Sequence, residues 1–307
     1  EHGELVQSFD SQVRMPCEWS YWQVETPEEL DLRLIEHVQT VHQIGFDIWK
    51  APLSRLFVVE TAKHGFVCIW TWHHALADGY TTQLLFDNMA SLSAAGSTPA
   101  LAFKSSHLLQ ADSYARWLHT RDITSSKIFW LNMLSGFEQP ISLSKVASEQ
   151  LTKGIYELRE ARHTVTSHCD ESISGRLRGV AKNCDVTLNN LLQGAFALAL
   201  CVYQDTDDIV FGAVRACRRT VPNADNIVSL LMNALPFRVS SSPGLTLESL
   251  FHAAKITHRS LREHEHSTLA SIYMAIGRKT RTPLFDSVFN FRHSLDAAGR
   301  CVKLADY

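Results

Sequence analysis

The distribution of apolar residues predicts alternating helices and strands in both halves of the chain. Some stretches repeat apolar positions every three or four residues, which is typical of one helix face, and others alternate or run together as in strands. In the first half the predicted elements are a helix from Thr26-Pro27, a hairpin of strands 56–60 and 66–74, and helices at 79–93 and 111–133. In the second half they are helices at 171–183, 186–203 and 247–261 and strands at 209–214 and 235–239, followed by a loop at 283–291 that leads into a strand.

This alternation predicts the α/β class, arranged as two lobes. Residues 135–154 lack a clear period and contain Gly136, Pro140 and several serines, so we interpret them as the connection between the lobes. The predicted domains are therefore an N-terminal lobe at residues 1–150 and a C-terminal lobe at residues 151–307.

The strand predicted at residues 66–74 has apolar side chains on both faces. Successive side chains of a strand point to opposite faces. One face holds Val67, Ile69, Thr71 and His73, and the other holds Cys68, Trp70, Trp72 and His74. Because both faces are largely apolar, we expect a central strand that is covered on both sides. Only one of the two adjacent histidines can then face a cleft, while the other faces packing.

Composition excludes several classes of function. The 307 residues carry a net charge of -3, so binding of nucleic acid through phosphate neutralisation has no support. Seven cysteines at wide spacings, with no Cys-x-x-Cys pair, argue against a disulfide framework and a zinc knuckle and favour a reducing cytoplasm. No run of about 18 apolar residues is present, so no membrane span is expected.

One motif in the chain has the composition of a reaction centre. It joins the end of a predicted strand to a predicted helix and reads His73-His74-Ala75-Leu76-Ala77-Asp78-Gly79. Its four fixed positions arise by chance about once in 10^5 windows. An imidazole titrates near neutral pH, which suits proton transfer, so the histidine that faces the cleft is the predicted catalytic residue, and Asp78 is expected to hold the turn through a buried ion pair. A pair of buried core histidines is the structural alternative. Metal ligation is disfavoured because no third ligand stands at a convincing spacing.

The motif resembles that of the condensation domains of nonribosomal peptide synthetases, a family related in fold to chloramphenicol acetyltransferase. Further segments resemble family elements in the expected order: Tyr114-Ala115-x-Trp117, Val186-Thr187-Leu188-Asn189, Asp208-Ile209-Val210-Phe211-Gly212, the stretch 228–236, Glu265-His266-Ser267-Thr268-Leu269 and Pro283-Leu284-Phe285-Asp286. Ser229 and Ala234 depart from the family's glycine and threonine. The early arginine-bearing element and the last strands and helices are absent, so the chain resembles a domain of fungal type that is truncated at both ends, with an incomplete C-terminal lobe.

The resemblance implies an acyltransferase that forms peptide bonds. An upstream peptidyl carrier domain would present an acyl or peptidyl thioester, and a downstream carrier, served by an adjacent adenylation domain, would present an aminoacyl amine. Both substrates would arrive on phosphopantetheine arms in a tunnel between two lobes, with no directly bound cofactor and no metal. His73, His74, Asp78 and Gly79 would form the catalytic motif, in which the family's second histidine, here His74, faces the tunnel and acts on the substrates. Asp78 would pair with Arg218, and Asn233 would orient a substrate carbonyl or support the fold.

Several alternatives remain open from the sequence. A free-standing acyltransferase that uses coenzyme A shares the His-x-x-x-Asp part of the motif, but the Asp-Phe-Gly-Trp-Gly element of the plant enzymes is missing. An epimerisation domain would need a glutamate motif that we do not find, and a heterocyclisation domain would replace the histidines with Asp. From a different class, a non-catalytic carrier-docking domain would carry a degraded motif, whereas the motif here is intact.

Overall fold

The computed structural model of the protein describes residues 12–94, 106–137, 164–240, 244, 246–278 and 283–292. The helices in these ranges are α1 (Pro27–Ile44), α2 (Gly79–Ala94), α3 (Ser106–His119), α4 (Ile123–Met133), α5 (Glu171–Asn183), α6 (Leu188–Gln204), α7 (Leu247–Ser260) and α8 (Leu269–Ala275). The strands are β1 (Cys17–Trp22), β2 (Ser54–Thr61), β3 (Gly65–Trp72), β4 (Asp208–Arg215), β5 (Asn233–Ser240) and β6 (Val288–Phe289). The predicted α/β class is confirmed.

The chain divides into two compact units whose bounds differ from the predicted lobes. The first unit comprises Glu1–Ala111 and Asn226–Leu230, and the second comprises Asp112–Asp225 and Leu231–Tyr307. The predicted boundary at residue 150 lies outside the described residues. Helix α4 belongs to the second unit because Trp130, which is buried, packs into that unit's core of β4 and β5 side chains. This long-range packing leaves no mark in the local pattern, which placed α4 in the N-terminal lobe.

The first unit contains a three-stranded sheet with the order β1-β2-β3. Strand β1 runs parallel to β2, and β2 runs antiparallel to β3. The β2–β3 hairpin closes where predicted: Gly65 has a φ of +72°, and the Thr61 hydroxyl donates to its carbonyl at 3.0 Å. Among the described strands β2 is central and β3 lies at an edge. The expectation that strand 66–74 is central and covered on both faces stays a prediction.

Helix α1 begins at the predicted N-cap and packs on one face of this sheet. The Thr26 hydroxyl accepts the Glu29 N–H at 3.2 Å, which satisfies one of the free donors of the first turn. His37 of α1 stacks on Phe57 of β2, with ring centroids 4.0 Å apart. Burial in this contact lowers the pKa of His37, with Glu18 opposing the effect.

The second unit contains a three-stranded sheet with the order β5-β4-β6, in which β4 is central. Its core is built from buried side chains of β4 and β5, such as Phe211 and Phe237, together with residues of α4, α6, α7 and α8. Gly212 faces the ring of Phe285, and a Cβ at this position would lie 2.5 Å from Phe285 Cε2. The glycine therefore permits the close approach of the 284–287 segment, whose Ser287 carbonyl accepts the Gly212 N–H at 2.8 Å.

Within the described part of the chain, no single helix is long and apolar enough to cross a membrane. Helices α5 and α6 together meet the criterion of length and composition, but they are bent by 98° at their junction.

Candidate active site

The predicted strand 66–74 ends earlier than expected, and both histidines of the motif lie beyond it. Strand β3 stops at Trp72. The His73 N–H still donates to Leu53 O at 2.9 Å, and the His73 carbonyl then accepts the Leu76 N–H at 3.0 Å. The backbone therefore turns at His73. The alternation of strand faces consequently does not decide which histidine is available, and the difference in their surroundings has to come from the turn.

His73 is fixed by the turn. Its ring is partly buried, it meets Phe46 edge-on with centroids 6.4 Å apart, and its Nδ1 accepts the Ala75 N–H at 3.1 Å. A ring nitrogen that accepts a hydrogen bond carries no proton, so this contact selects the tautomer protonated on Nε2. These contacts fit the structural role that the sequence predicted for the histidine that faces packing, and that role stays a prediction.

His74 is exposed, in contrast to its neighbour. No hydrogen bond or ion pair to its imidazole is found among the residues that the structure describes. Its ring is thus available to a ligand, whereas the His73 ring is held by the turn. The expectation that His74 faces a crevice between two lobes stays a prediction, as does its catalytic role.

Asp78 closes the turn and starts helix α2. It is 2% exposed, and its Oδ1 accepts the Thr81 N–H at 2.8 Å. The Asp78 carbonyl accepts both the Thr82 N–H at 2.9 Å and the Thr82 hydroxyl at 3.0 Å. These contacts satisfy free donors of the first helical turn, as an N-cap does. The expected role in holding the turn is supported by this cap. The predicted ion pair with Arg218 stays a prediction.

Gly79 is the first residue of α2, and its surroundings are open. It is exposed, and a Cβ built there would meet nothing within 4 Å. Neither crowding nor a positive φ in the described structure therefore requires glycine at this position. A glycine at the start of α2 allows a ligand to approach the backbone closely.

Arg218 and Asn233 belong to the second unit and are described within it. Arg218 is 8% exposed, and its Nη1 donates to Ala224 O at 2.7 Å, which braces its own loop. The Asn233 side-chain amide donates to Glu265 O at 3.0 Å and to Ser267 O at 2.8 Å. Asn233 therefore ties the start of β5 to the turn that follows α7. Of its two predicted roles, support of the fold is the one that these contacts fit.

Sequence reasoning missed a buried ion pair beside Arg218. Arg215 Nε donates to Glu265 Oε2 at 2.9 Å, and both side chains are buried. His258 contacts the same guanidinium, its Nδ1 lying 3.3 Å from Arg215 Nη1, and burial together with the Arg215 charge lowers its pKa to about 4. A charged residue that ends the apolar strand β4 was the one available signal. Its partner lies 50 residues away, so local pattern could not identify it.

Sequence reasoning also missed a group of side chains that connects α3 with Thr220, whose hydroxyl donates to the Glu265 carboxylate. Tyr114 OH lies 3.2 Å from His266 Nδ1, and His266 Nε2 lies 2.8 Å from Thr220 Oγ1. Burial raises the pKa of Tyr114 to about 12, and burial followed by the nearby Arg121 charge lowers the pKa of His266 to about 4. Both groups are therefore neutral near pH 7.

Across the described residues, no cluster of three or more His, Cys, Asp or Glu side chains could hold a metal ion.

Comparison with known proteins supplies the context of this turn. The model of the family described as "Condensation domain" matches residues 1–299. One subunit of the linear gramicidin synthase of Brevibacillus parabrevis is 26% identical over 276 residues, which is 89% of this chain and 4% of that protein. Chondramide synthase cmdD of Chondromyces crocatus is 29% identical over 267 residues, 85% of this chain and 7% of that protein. The chain thus spans a small part of the curated relatives that it matches.

Solved structures agree with the fold. The starter condensation domain of the rhizomide synthetase RzmA, in a variant solved in complex with C8-CoA, has a TM-score of 0.63 at 18% identity over 90% of this chain and 60% of its own. The condensation domain of the monacolin K polyketide synthase MokA has a TM-score of 0.63 at 19% identity over 89% of this chain and 63% of its own. These matches confirm the predicted chloramphenicol acetyltransferase-like architecture.

Proposed function

This chain belongs to the condensation-domain family, and we propose that it catalyses amide-bond formation between a carrier-bound acyl or peptidyl thioester and a carrier-bound aminoacyl amine. The observation that carries the proposal is the state of the intact motif. His74 is an exposed imidazole in a turn whose backbone N–H groups donate to the side chains of His73 and Asp78, with open space at Gly79. A degraded carrier-docking domain would have no reason to keep this arrangement.

The two reactants need little chemical activation by the protein. The amine nitrogen attacks the thioester carbonyl carbon, the carbon–sulfur bond breaks, and the amine proton passes to the departing thiolate. An α-amine has a pKa near 8, so an appreciable neutral fraction exists at pH 7, and the thioester is already an activated donor. His74 Nδ1 or Nε2 can accept the amine proton and return it to the thiolate. Holding the two tethered substrates together would supply a large part of the rate.

The partners follow from this reaction. An upstream and a downstream peptidyl carrier domain would deliver the substrates on phosphopantetheine arms, and an adjacent adenylation domain would load the acceptor. The arms are part of the substrates, so the proposed reaction needs no cofactor held by this chain. The large multidomain synthetases among its relatives support this arrangement.

The test is a single-turnover assay of the intact protein with separately loaded donor and acceptor carriers, in which mass spectrometry follows the amide on the acceptor arm. His74→Ala should abolish or greatly slow product formation without a change in melting temperature, since the His74 ring is exposed. His42→Ala, which removes another exposed histidine of the first unit, is the matched control. A His74→Ala protein that condenses at the parent rate refutes the assignment.

An acyl-CoA donor is the second candidate, favoured by the structural likeness to a starter condensation domain solved with C8-CoA. Supplying the same acyl group on a carrier and on coenzyme A separates the two. Faster transfer from coenzyme A would replace the carrier-bound donor in the proposal. Binding of both carriers without turnover would instead identify a docking domain.

A further inference from the structure

Glu265 holds both ends of the short segment that carries Arg218. Glu265 is 3% exposed. Its Oε2 accepts a hydrogen bond from Arg215 Nε at 2.9 Å, and its Oε1 accepts one from the Thr220 hydroxyl at 3.1 Å. One carboxylate therefore fixes the last residue of β4 and a loop residue five positions further on. Arg218 lies between these two anchors.

The main chain of Glu265 adds a third anchor. Its carbonyl accepts Cys217 Sγ at 3.3 Å as well as the Asn233 amide at 3.0 Å. Cys217 directly precedes Arg218 and has a φ of +53°, a conformation that costs energy for a residue with a Cβ and persists only when its surroundings impose it. The Cys217 thiol also lies 3.4 Å from Arg215 O, so the Glu265 carbonyl is one of the contacts that surround this residue.

The hydrogen bonds around Thr220 have one direction only. A hydroxyl has one proton, and the ionised carboxylate of Glu265 can only accept, so Thr220 donates to Glu265. His266 Nε2, 2.8 Å from Thr220 Oγ1, must then donate to Thr220. The other nitrogen of the neutral ring, Nδ1, must therefore accept from Tyr114 OH at 3.2 Å. The result is a directed chain from Tyr114 through His266 and Thr220 that ends on Glu265, and such chains strengthen each of their bonds.

From this geometry we infer that Glu265, supported by the chain from Tyr114, is a positioning residue that holds the Arg218 loop for the condensation reaction; the inference rests on the proposed function. Arg218 contributes its own brace through Ala224 O at 2.7 Å, and the Val221 N–H donates to Arg218 O at 3.3 Å. The loop is thereby closed on itself and anchored from outside at three positions by one residue.

Hydrogen exchange tests the structural half of the inference without any activity. In Glu265→Gln the amides of residues 216–226 should exchange at least about tenfold faster, while those of β4 and β5 keep their rates. Asp208→Asn is the matched control because Asp208 pairs with Arg238 at the opposite end of the same strand, β4. Unchanged exchange in residues 216–226, or an equal change in the control, overturns the inference.

A kinetic cycle in the intact protein tests the route to the chemistry. Glu265→Gln should lower kcat by about 10²-fold, the size of effect that misplacement of a group by about 1 Å produces. Combined with Arg218→Ala, the same substitution should lower kcat by less than about twofold further, because residues that act through one another are not additive. A further 10²-fold loss in the double variant would show that Glu265 does not act through Arg218.

A milder variant guards against a failure of Glu265→Gln to fold. Thr220→Val keeps the shape of the side chain, removes its bonds to Glu265 and His266, and leaves the Arg215–Glu265 pair in place. Thr220→Val should speed exchange in residues 216–226 and lower kcat. In the Arg218→Ala background the same substitution should leave kcat unchanged. A Thr220→Val protein with the parent's kcat and the parent's exchange rates overturns the inference. A parent protein that condenses nothing would refute the proposed function and the catalytic part of the inference together, while the exchange data would still decide whether Glu265 holds the loop.

Discussion

Thr81 and Ser229, 148 residues apart in sequence, bind each other twice. The Thr81 hydroxyl donates to Ser229 O at 2.7 Å and accepts the Ser229 N–H at 3.3 Å. Thr81 stands in the first turn of α2, two residues after Gly79, and is 0% exposed. The segment Asn226–Leu230, which the second half of the chain contributes to the first unit, is thereby fixed to the helix that Asp78 caps.

Thr81→Val should destabilise the protein while preserving its shape. The substitution removes the hydroxyl and leaves the Ser229 N–H and carbonyl without this partner, which costs about 1–3 kcal/mol for buried polar groups. Chemical denaturation would measure the loss. Thr40→Val is the matched control: its hydroxyl bonds a carbonyl one turn back in α1 at an exposed site, and a change within about 0.5 kcal/mol is expected there. Equal stability of the two variants would show that the Thr81–Ser229 contact contributes nothing.

Asp78 offers a way to separate a helix cap from an ion pair. Asp78→Asn keeps the oxygen that accepts the Thr81 N–H but removes the charge, whereas Asp78→Ala removes both. Loss of the cap alone costs about 1 kcal/mol. Loss of one partner of a buried ion pair costs about 3–5 kcal/mol. If Asp78 pairs with Arg218, Asp78→Asn should lose most of the stability that Asp78→Ala loses.

The opposite result is equally clear in the same denaturation experiment. If Asp78→Asn keeps the parent stability and Asp78→Ala loses about 1 kcal/mol, Asp78 is a cap without an ionic partner, and the pairing with Arg218 is wrong. Arg218→Ala in the Asp78→Asn background completes a double-mutant cycle that isolates the pair from the separate effects of each side chain.

His73 and His74 should respond to substitution in opposite ways. His73→Ala removes the acceptor of the Ala75 N–H and the contact with Phe46, so it should lower the free energy of unfolding by about 1 kcal/mol, the value of a typical hydrogen bond. His73→Asn places a side-chain oxygen near the position of Nδ1 and should restore much of that stability. Melting curves of His73→Ala and His74→Ala provide the comparison, and an equal loss for both would contradict the division of roles.

Much of the fold could be predicted because its signals are local. The Thr26 cap, the Gly65 turn and the periodicity of α5 each lie within a few residues, and each element formed where it was expected. The end of β3 could not be predicted in this way. His73 continues the apolar run of the strand, and only its bonds to Leu53 and Leu76 show that the backbone turns there.

In the candidate site too, local features could be predicted from the sequence and long-range contacts could not. The motif at residues 73–79 is one local turn, so sequence alone identified its members. The Arg215–Glu265 pair and the His266–Thr220 contact join residues about 50 positions apart. The local pattern of either segment does not indicate that the other is its partner. The segment that holds His266 was identified by resemblance, but its local pattern does not show that the ring lies between Tyr114 and Thr220.

Two half-buried histidines of the second unit, His258 and His266, predict a loss of stability in acid. His258 and His266 each have a pKa lowered to about 4, chiefly by burial, so in the folded state they stay neutral where the unfolded chain, with a pKa near 6.5, binds protons. Between pH 6.5 and 4 the unfolded state therefore holds more protons, and stability falls as the pH falls. After allowance for solvent screening, the loss is on the order of 1–2 kcal/mol for each histidine.

Denaturant titrations at pH 7, 5.5 and 4.5 would measure how steeply the free energy of unfolding falls with pH. Substitution of each histidine would then show how much of that fall it causes. His258→Gln and His266→Gln should each be less stable than the parent at pH 7, since each loses a native contact, but should show a shallower decline toward pH 4.5. An unchanged slope in both variants would place the acid sensitivity elsewhere.

Gly212 tests the packing of the second unit at its tightest point. Gly212→Ala would bring a Cβ to within 2.5 Å of Phe285 Cε2, and because β4 is central in its sheet the strand cannot move away. Overpacking of this kind costs about 1–3 kcal/mol. Phe285→Leu in the same chain shortens the opposing side chain and should recover part of the loss. Gly175→Ala on α5, where a Cβ meets nothing within 4 Å, should instead stabilise by about 0.5–1 kcal/mol because alanine favours the helix. A Gly212→Ala protein as stable as Gly175→Ala would mean that the 284–287 segment does not pack against β4.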